Sequence, residues 1–160
     1  MSKRKFDHER LGAIEYDDAE VITFPGLPGF PSARRFIVRA HSKGETLAWL
    51  ISLDVPALAF AIASPFHFAR DYAPRIPEEA LDALRAETLD EIEIVAIAIA
   101  SEAGLSLNLA APILIDRARG RGLQWILEGD AHPLRRCVAP ASPETAPARP
   151  SAQTESNPQT

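Results

Sequence analysis

Ile22-Thr23-Phe24-Pro25-Gly26-Leu27-Pro28-Gly29-Phe30 reads as a strand that runs into a rigid corner. Residues 20–24 alternate and carry β-branched and aromatic side chains, which suit a pleated strand. Pro25 then ends the ladder, because it has no N–H to donate. Gly26 and Gly29 accept backbone angles that other residues avoid, and Pro28 fixes φ between them. Phe30 follows as a large apolar anchor. Spacing alone also fits an ordinary loop between two strands.

Working outward, both flanks are β-rich. Residues 4–16 alternate on either side of Leu11-Gly12, which predicts a hairpin or a bent strand there, followed by a turn at Asp17-Asp18. Beyond the corner, residues 35–40 form a strand with Phe36 and Val38 on one face. A hairpin turn is expected at residues 42–45. Leu47, Trp49, Ile51 and Leu53 then alternate with Ala48, Leu50 and Ser52, and Leu58, Phe60 and Ile62 with Ala59, Ala61 and Ala63. Bulky side chains inside and small ones outside are what a sheet curving onto itself requires. Residues 64–74 form an irregular aromatic-rich connection. Residues 77–85 are the one short helix, with proline and two acids in the first turn and an end near Thr88. Residues 91–100 are a central strand, apolar on both faces beyond Glu93. Shorter strands follow at residues 105–109, 113–116 and 123–127. The expected fold is mainly β: a small antiparallel β-barrel-like domain over residues 1–138. Residues 139–160 hold five of the fourteen prolines and almost no large apolar side chain, which predicts a disordered tail.

Composition narrows the function. A chain of 160 residues with 46% hydrophobic content can build one core. A net charge of −5 argues against bulk affinity for nucleic acid or anionic membrane. The single cysteine, Cys137, allows no internal disulfide. The N-terminal residues lack the apolar core of a secretory signal, and the apolar runs at residues 57–63 and 92–100 are too short to span a bilayer as helices. A soluble cytoplasmic protein is expected, monomeric when free.

Catalytic chemistry has little support. His8, His41, His67 and His132 are scattered, and no metal-ligand spacing, phosphate loop or nucleophile elbow is present. Cys137 near His132 suggests a thiol and its base, but a surface thiol is the simpler account. Neither an enzyme nor a cofactor is expected. Arg117, Arg119 and Arg121 crowd a tight turn, read as a solvated hairpin tip or a phosphate contact. Glu78, Glu79, Asp82, Glu87, Asp90, Glu91 and Glu93 face only Arg85 between Pro77 and Glu93, a local charge of −6. That is either a solvated face or a docking surface for a basic partner. The aromatics Phe66, Phe68 and Tyr72, with His67 and Asp71 among them, are either tucked under the barrel or offered as interface anchors. The partner-binding candidates are therefore Phe66, Phe68, Asp71, Tyr72, Glu78, Glu79 and Asp82.

An ordered set of short stretches resembles the flagellar assembly factor FliW family. They are Leu11-Gly12, residues 22–30, Arg35-Phe36, Leu58-Ala59-Phe60, Pro65-Phe66, Asp71-Tyr72, residues 108–113, Gln124 and residues 132–135. Ala110 stands where the family usually has lysine, and Asp116 where it usually has asparagine. The resemblance implies a small β-barrel-like, non-enzymatic protein with two partners. One is flagellin before export; the other is the RNA-binding translational regulator CsrA, sequestered when flagellin leaves. The alternative from the residues alone is a small-molecule- or nucleotide-binding barrel with a cavity lined by Phe36, Trp49, Phe60 and Trp125.

Overall fold

The computed structural model describes residues 3–40, 47–102, 104–129 and 132–139. The turn expected at residues 42–45 and residues 140–160 of the tail lie outside them. Strands β1 (Lys3–His8) and β2 (Gly12–Asp17) form a separate hairpin. The main sheet contains β3 (Ile22–Thr23), β4 (Arg35–Ala40), β5 (Leu47–Ser52), β6 (Ala59–Ala63), β7 (Glu93–Ser101), β8 (Gly104–Leu107), β9 (Ile113–Asp116), β10 (Arg121–Gln124) and β11 (Arg136–Ala139). Its order is β11-β8-β7-β6-β5-β4-β3-β10-β9, and β9 pairs back onto β7. The ring from β7 round to β9 is thus a closed barrel, antiparallel except at the β3–β10 pair. Strands β8 and β11 extend from it as a flap.

The corner holds as its residues require. Phe24 is buried and meets Phe36 edge-on, with ring centroids 5.1 Å apart. Leu27 and Phe30 bond to each other in both directions, N to O at 2.7 and 3.2 Å. Pro28 and Gly29, at φ +86°, make the type II turn between them. The buried anchor is Leu27, 4% exposed; Phe30 stays 39% exposed and leans edge-on against Phe60.

The inner face carries Phe36, Leu50, Ile62, Val95, Ile113 and Ile115. Residues paired across antiparallel strands share a face, so Phe36↔Ser52, Val38↔Leu50, Leu50↔Phe60 and Ile62↔Ile97 trace the interior. This corrects the expectation for β5. Its bulkier set, Leu47, Trp49, Ile51 and Leu53, points outward, and Ala48, Leu50 and Ser52 point in. The outward set is still covered, because the β1–β2 hairpin lays Phe6, Leu11, Ile14 and Tyr16 over Ile37, Ile51 and Leu53. Small inward residues on β5 make room for Phe36 and Phe60.

Polar stitches fix the hairpin and the corner. His8 Nε2–H donates to the Leu58 carbonyl at 2.9 Å, while Nδ1 accepts the amides of Arg10 and Leu11. The Asp54 carboxylate accepts the backbone N–H groups of Arg34 (2.8 Å) and Arg35 (2.7 Å), with the Arg35 guanidinium at 3.0 Å. Two helices lie outside the barrel. The one-turn α1 (Pro65–Phe68) occupies the connection read as irregular. The α2 helix (Glu78–Leu84) stops earlier than Thr88, because Arg85 takes a left-handed conformation at φ +58°. Strand β11, absent from the sequence reading, takes in Ala139.

Two outcomes follow for stability. A Cβ at Gly122 would overlap the Phe24 ring, which has nowhere to retreat in a filled core. Gly122→Ala is expected to cost about 1–3 kcal/mol of unfolding free energy by urea denaturation. Burial alone would push the Asp54 carboxyl up, but its two backbone donors and Arg35 hold it below the ordinary carboxylate range. A depressed folded-state pKa means stabilisation that is full above the unfolded pKa and lost as pH falls through the folded one. Asp54→Ala should therefore lower stability by about 1–2 kcal/mol at pH 7, with the deficit closing on acidification below roughly pH 4.

Candidate functional site

The site is positioned by a break in one strand pairing. On a single edge, β7 pairs with β8 (Ala98↔Leu107) and then with β9 (Val95↔Ile113). Between these pairs two residues of β7 therefore face five of the partner chain, and residues 108–112 must leave the sheet and return. Asn108 N–H still donates to the Ile97 carbonyl of β7 at 2.9 Å, and the backbone groups of residues 109–112 that leave the ladder find partners elsewhere. Asn108 Oδ1 accepts the amides of Ala110 and Ala111 at 3.1 and 3.2 Å, an Asx turn. Leu109 N–H donates to the Pro133 carbonyl (3.0 Å), and the Leu109 carbonyl accepts the Tyr72 hydroxyl (2.8 Å). The carbonyls of Ala110, Ala111 and Pro112 accept Leu127 N–H, Gln124 Nε2 and Trp125 N–H.

These partners assemble a surface. Tyr72, buried by the excursion, meets His132 edge-on at 4.9 Å and Phe66 at 5.7 Å. His132 also lines a groove of about 640 Å³ with Arg75, Glu79, Trp125, Ile126 and Glu128. Ile126 is 64% exposed, Phe66 42%, and Leu134, close beyond His132 in the chain, 66%. Beside the groove, α2 buries Ala80 and Leu84 against Leu114 and turns Glu78, Glu79 and Asp82 to solvent. None of these three acids has an ion pair among the described residues.

The seven candidates thus divide. Glu78, Glu79 and Asp82 are exposed on one short helix, and Phe66 is exposed on α1. Asp71 is exposed but bound to Arg136 at 3.1 Å, and that contact holds its carboxyl below the usual range. Phe68 packs against the outer cluster around Leu107, and Tyr72 is buried. The acidic segment also divides. Glu93 pairs with Arg117 and Glu91 with Arg119, each at 2.7 Å. Arg117 and Arg119 of the basic turn therefore offset the end of the acidic run. Ile126, His132 and Leu134 were not found from sequence, since no periodicity marks residues brought together by backbone bonds. The four aromatics of a supposed ligand cavity do not converge. Phe36 and Phe60 fill the barrel, Trp49 lies outside under the hairpin, and Trp125 faces α2. Among the described residues, no three His, Cys, Asp or Glu side chains cluster as metal ligands do.

Comparison with known proteins gives a consistent picture. The family model described as FliW protein matches residues 5–138. "Flagellar assembly factor FliW 2" of Desulfotalea psychrophila is 36% identical over 125 residues, covering 77% of this chain and 83% of the relative. "Flagellar assembly factor FliW" of Heliobacterium modesticaldum is 32% identical over 140 residues, covering 86% and 92%. A solved structure titled "Crystal structure of the flagellar assembly factor FliW" superposes with a TM-score of 0.79 at 23% identity, over 86% of this chain and 99% of that one. At that identity the superposition speaks for the fold.

The Tyr72 hydroxyl tests whether the excursion organises this surface. Burial pushes its pKa up to about 12. Ultraviolet titration of the folded protein should show one tyrosine resisting ionisation up to that range. Tyr72→Phe leaves the buried Leu109 carbonyl without its donor, an expected loss of about 1–3 kcal/mol by urea denaturation.

Proposed function

The chain belongs to the FliW family, and from that premise we propose that it is a cytoplasmic flagellar assembly factor acting by occupancy rather than catalysis. In this reading it binds flagellin before export. When flagellin leaves, it sequesters a CsrA-like translational regulator and relieves repression of flagellin translation. The two partners compete, so the outcome is set by their concentrations and relative affinities.

The observation that carries the choice of surface is the groove that Glu79 lines together with Ile126 and His132, beside α2 acids that have no ion pair among the described residues. An apolar centre that loses water on docking supplies affinity. An acidic rim raises the encounter rate with a basic partner and discriminates against acidic ones. The regulator binds RNA, so basic surface suits it. Phe66, Phe68, Asp71, Tyr72, Glu78, Glu79 and Asp82 belong to this proposed surface in two capacities. Phe66 and the α2 acids touch the partner. Phe68, Tyr72 and the Asp71–Arg136 pair hold the segment in place.

The test is the triple variant Glu78→Lys, Glu79→Lys, Asp82→Lys, titrated with purified CsrA at several salt concentrations. Affinity at low salt should fall at least tenfold and its salt dependence should flatten. Unchanged affinity and slope would remove this surface. Adding flagellin to the preformed complex should release CsrA; a stable ternary complex would overturn competition.

A further inference from the structure

We propose that the groove beside α2 is an arginine pocket, in which one guanidinium of a partner protein is shared by the carboxylates of Glu79 and Glu128 and lies against the Trp125 indole. The pocket belongs to the docking surface proposed above, and its assignment rests on that reading. Glu128 is the new element. Glu79 comes from α2 and Glu128 from the stretch after β10, yet both line one groove of about 640 Å³ with Arg75, Trp125, Ile126 and His132. Both carboxylates are exposed, and neither has an ion pair among the described residues; nor has Arg75. With His132 counted neutral, two acids and one arginine leave the groove one negative charge in excess. One incoming cation neutralises it, and Arg75 disfavours a second.

The frame is set before a guest arrives. Trp125 N–H donates to the Pro112 carbonyl at 3.0 Å and Leu127 N–H to the Ala110 carbonyl at 2.8 Å, so Glu128 leaves a pinned backbone. Trp125 packs on the cluster of Leu84 and Leu114 and is still only half-buried, which keeps part of its ring on the groove. On α2, buried Ala80 and Leu84 fix the helix that carries Glu79. Groups held in this way lose little entropy on binding. Arginine suits them better than lysine. A guanidinium is planar and carries five N–H donors, so it serves two carboxylates and lies flat on an indole at once. An ammonium is a compact, more strongly hydrated charge and has no flat face to offer. The groove is larger than one side chain. Residues flanking the arginine therefore enter with it, and Ile126, 64% exposed, gives them an apolar contact.

The experiment titrates the whole isotope-labelled chain with the blocked tripeptide acetyl-Ala-Arg-Ala-amide and follows the two indole N–H signals by NMR. Trp125 should shift saturably, while Trp49, packed under the β1–β2 hairpin, should not move. Citrulline in place of the arginine keeps its shape and removes its charge; lysine keeps the charge and removes the plane. Each of these tripeptides should bind at least fivefold more weakly. Glu128→Gln, an exposed and nearly isosteric change, should weaken the arginine tripeptide at least fivefold. No saturable shift of Trp125, equal binding of the citrulline or lysine tripeptide, or indifference to Glu128→Gln overturns the proposal. Failure here is distinguishable from failure of the CsrA reading. If the α2 triple variant loses CsrA while the tripeptide leaves Trp125 unmoved, the surface stands and the arginine pocket falls. If the tripeptide meets every expectation while CsrA binds the triple variant unchanged, the pocket stands and the CsrA reading falls.

Discussion

Strand β7 carries two partners on one edge, and the barrel closes only because the chain between those partners steps out of the sheet. The step is expensive in principle. Residues 109–112 surrender their ladder bonds, and a buried amide or carbonyl left without a partner costs about 1–3 kcal/mol. The excursion is therefore possible only where other segments bring donors and acceptors to it. Those segments are the turn around Tyr72, the stretch from Gln124 to Leu127, and Pro133. What appears as a loop requirement is equally a constraint on three distant pieces of chain.

That constraint shapes the exposed surface. Trp125 and Leu127 are held by backbone bonds to the excursion, so Ile126 between them is held as well and turns outward. His132 is fixed beside Tyr72 by Pro133. A groove edged by such residues is stiff, and a stiff apolar site loses little entropy when a partner fills it. The α2 acids add charge to a frame whose position they do not determine. In the proposed function, affinity and selectivity rest on separate parts of this surface.

Much of the fold was legible because it depends on local rules. The corner at residues 22–30, the N-terminal hairpin and the alternation of β4 and β6 follow from turn chemistry and period-two patterning. The orientation of β5 was not legible, because both of its faces are apolar in sequence and alternation identifies faces without saying which is inside. The deciding fact is nonlocal: a hairpin some forty residues upstream covers the outer face. The site was legible in part for the same reason. Glu78, Glu79, Asp82 and Phe66 announce themselves by charge or by proline framing. Tyr72 and Phe68 look alike in sequence, yet Tyr72 is buried and Phe68 half-buried, and Ile126 and His132 reach the surface through bonds that no motif records.

The electrostatics trace to one buried group. Asp116 is fully enclosed, and a carboxylate there needs compensation. Its oxygens accept the Arg119 amide at 3.2 Å and the Arg119 guanidinium at 2.8 Å. Once drawn in, Arg119 also binds Glu91, and these contacts hold the guanidinium more firmly protonated than usual. The neighbouring Arg117 takes Glu93. Two of the three arginines in a turn that reads as a cationic tip, Arg117 and Arg119, are thus engaged with one interior carboxylate and two surface ones. Glu78, Glu79 and Asp82 on α2, beside the groove, have no ion pair among the described residues. An asparagine at position 116 would still accept the Arg119 amide but would remove the charge that draws the guanidinium inward, leaving Arg119 held by Glu91 alone.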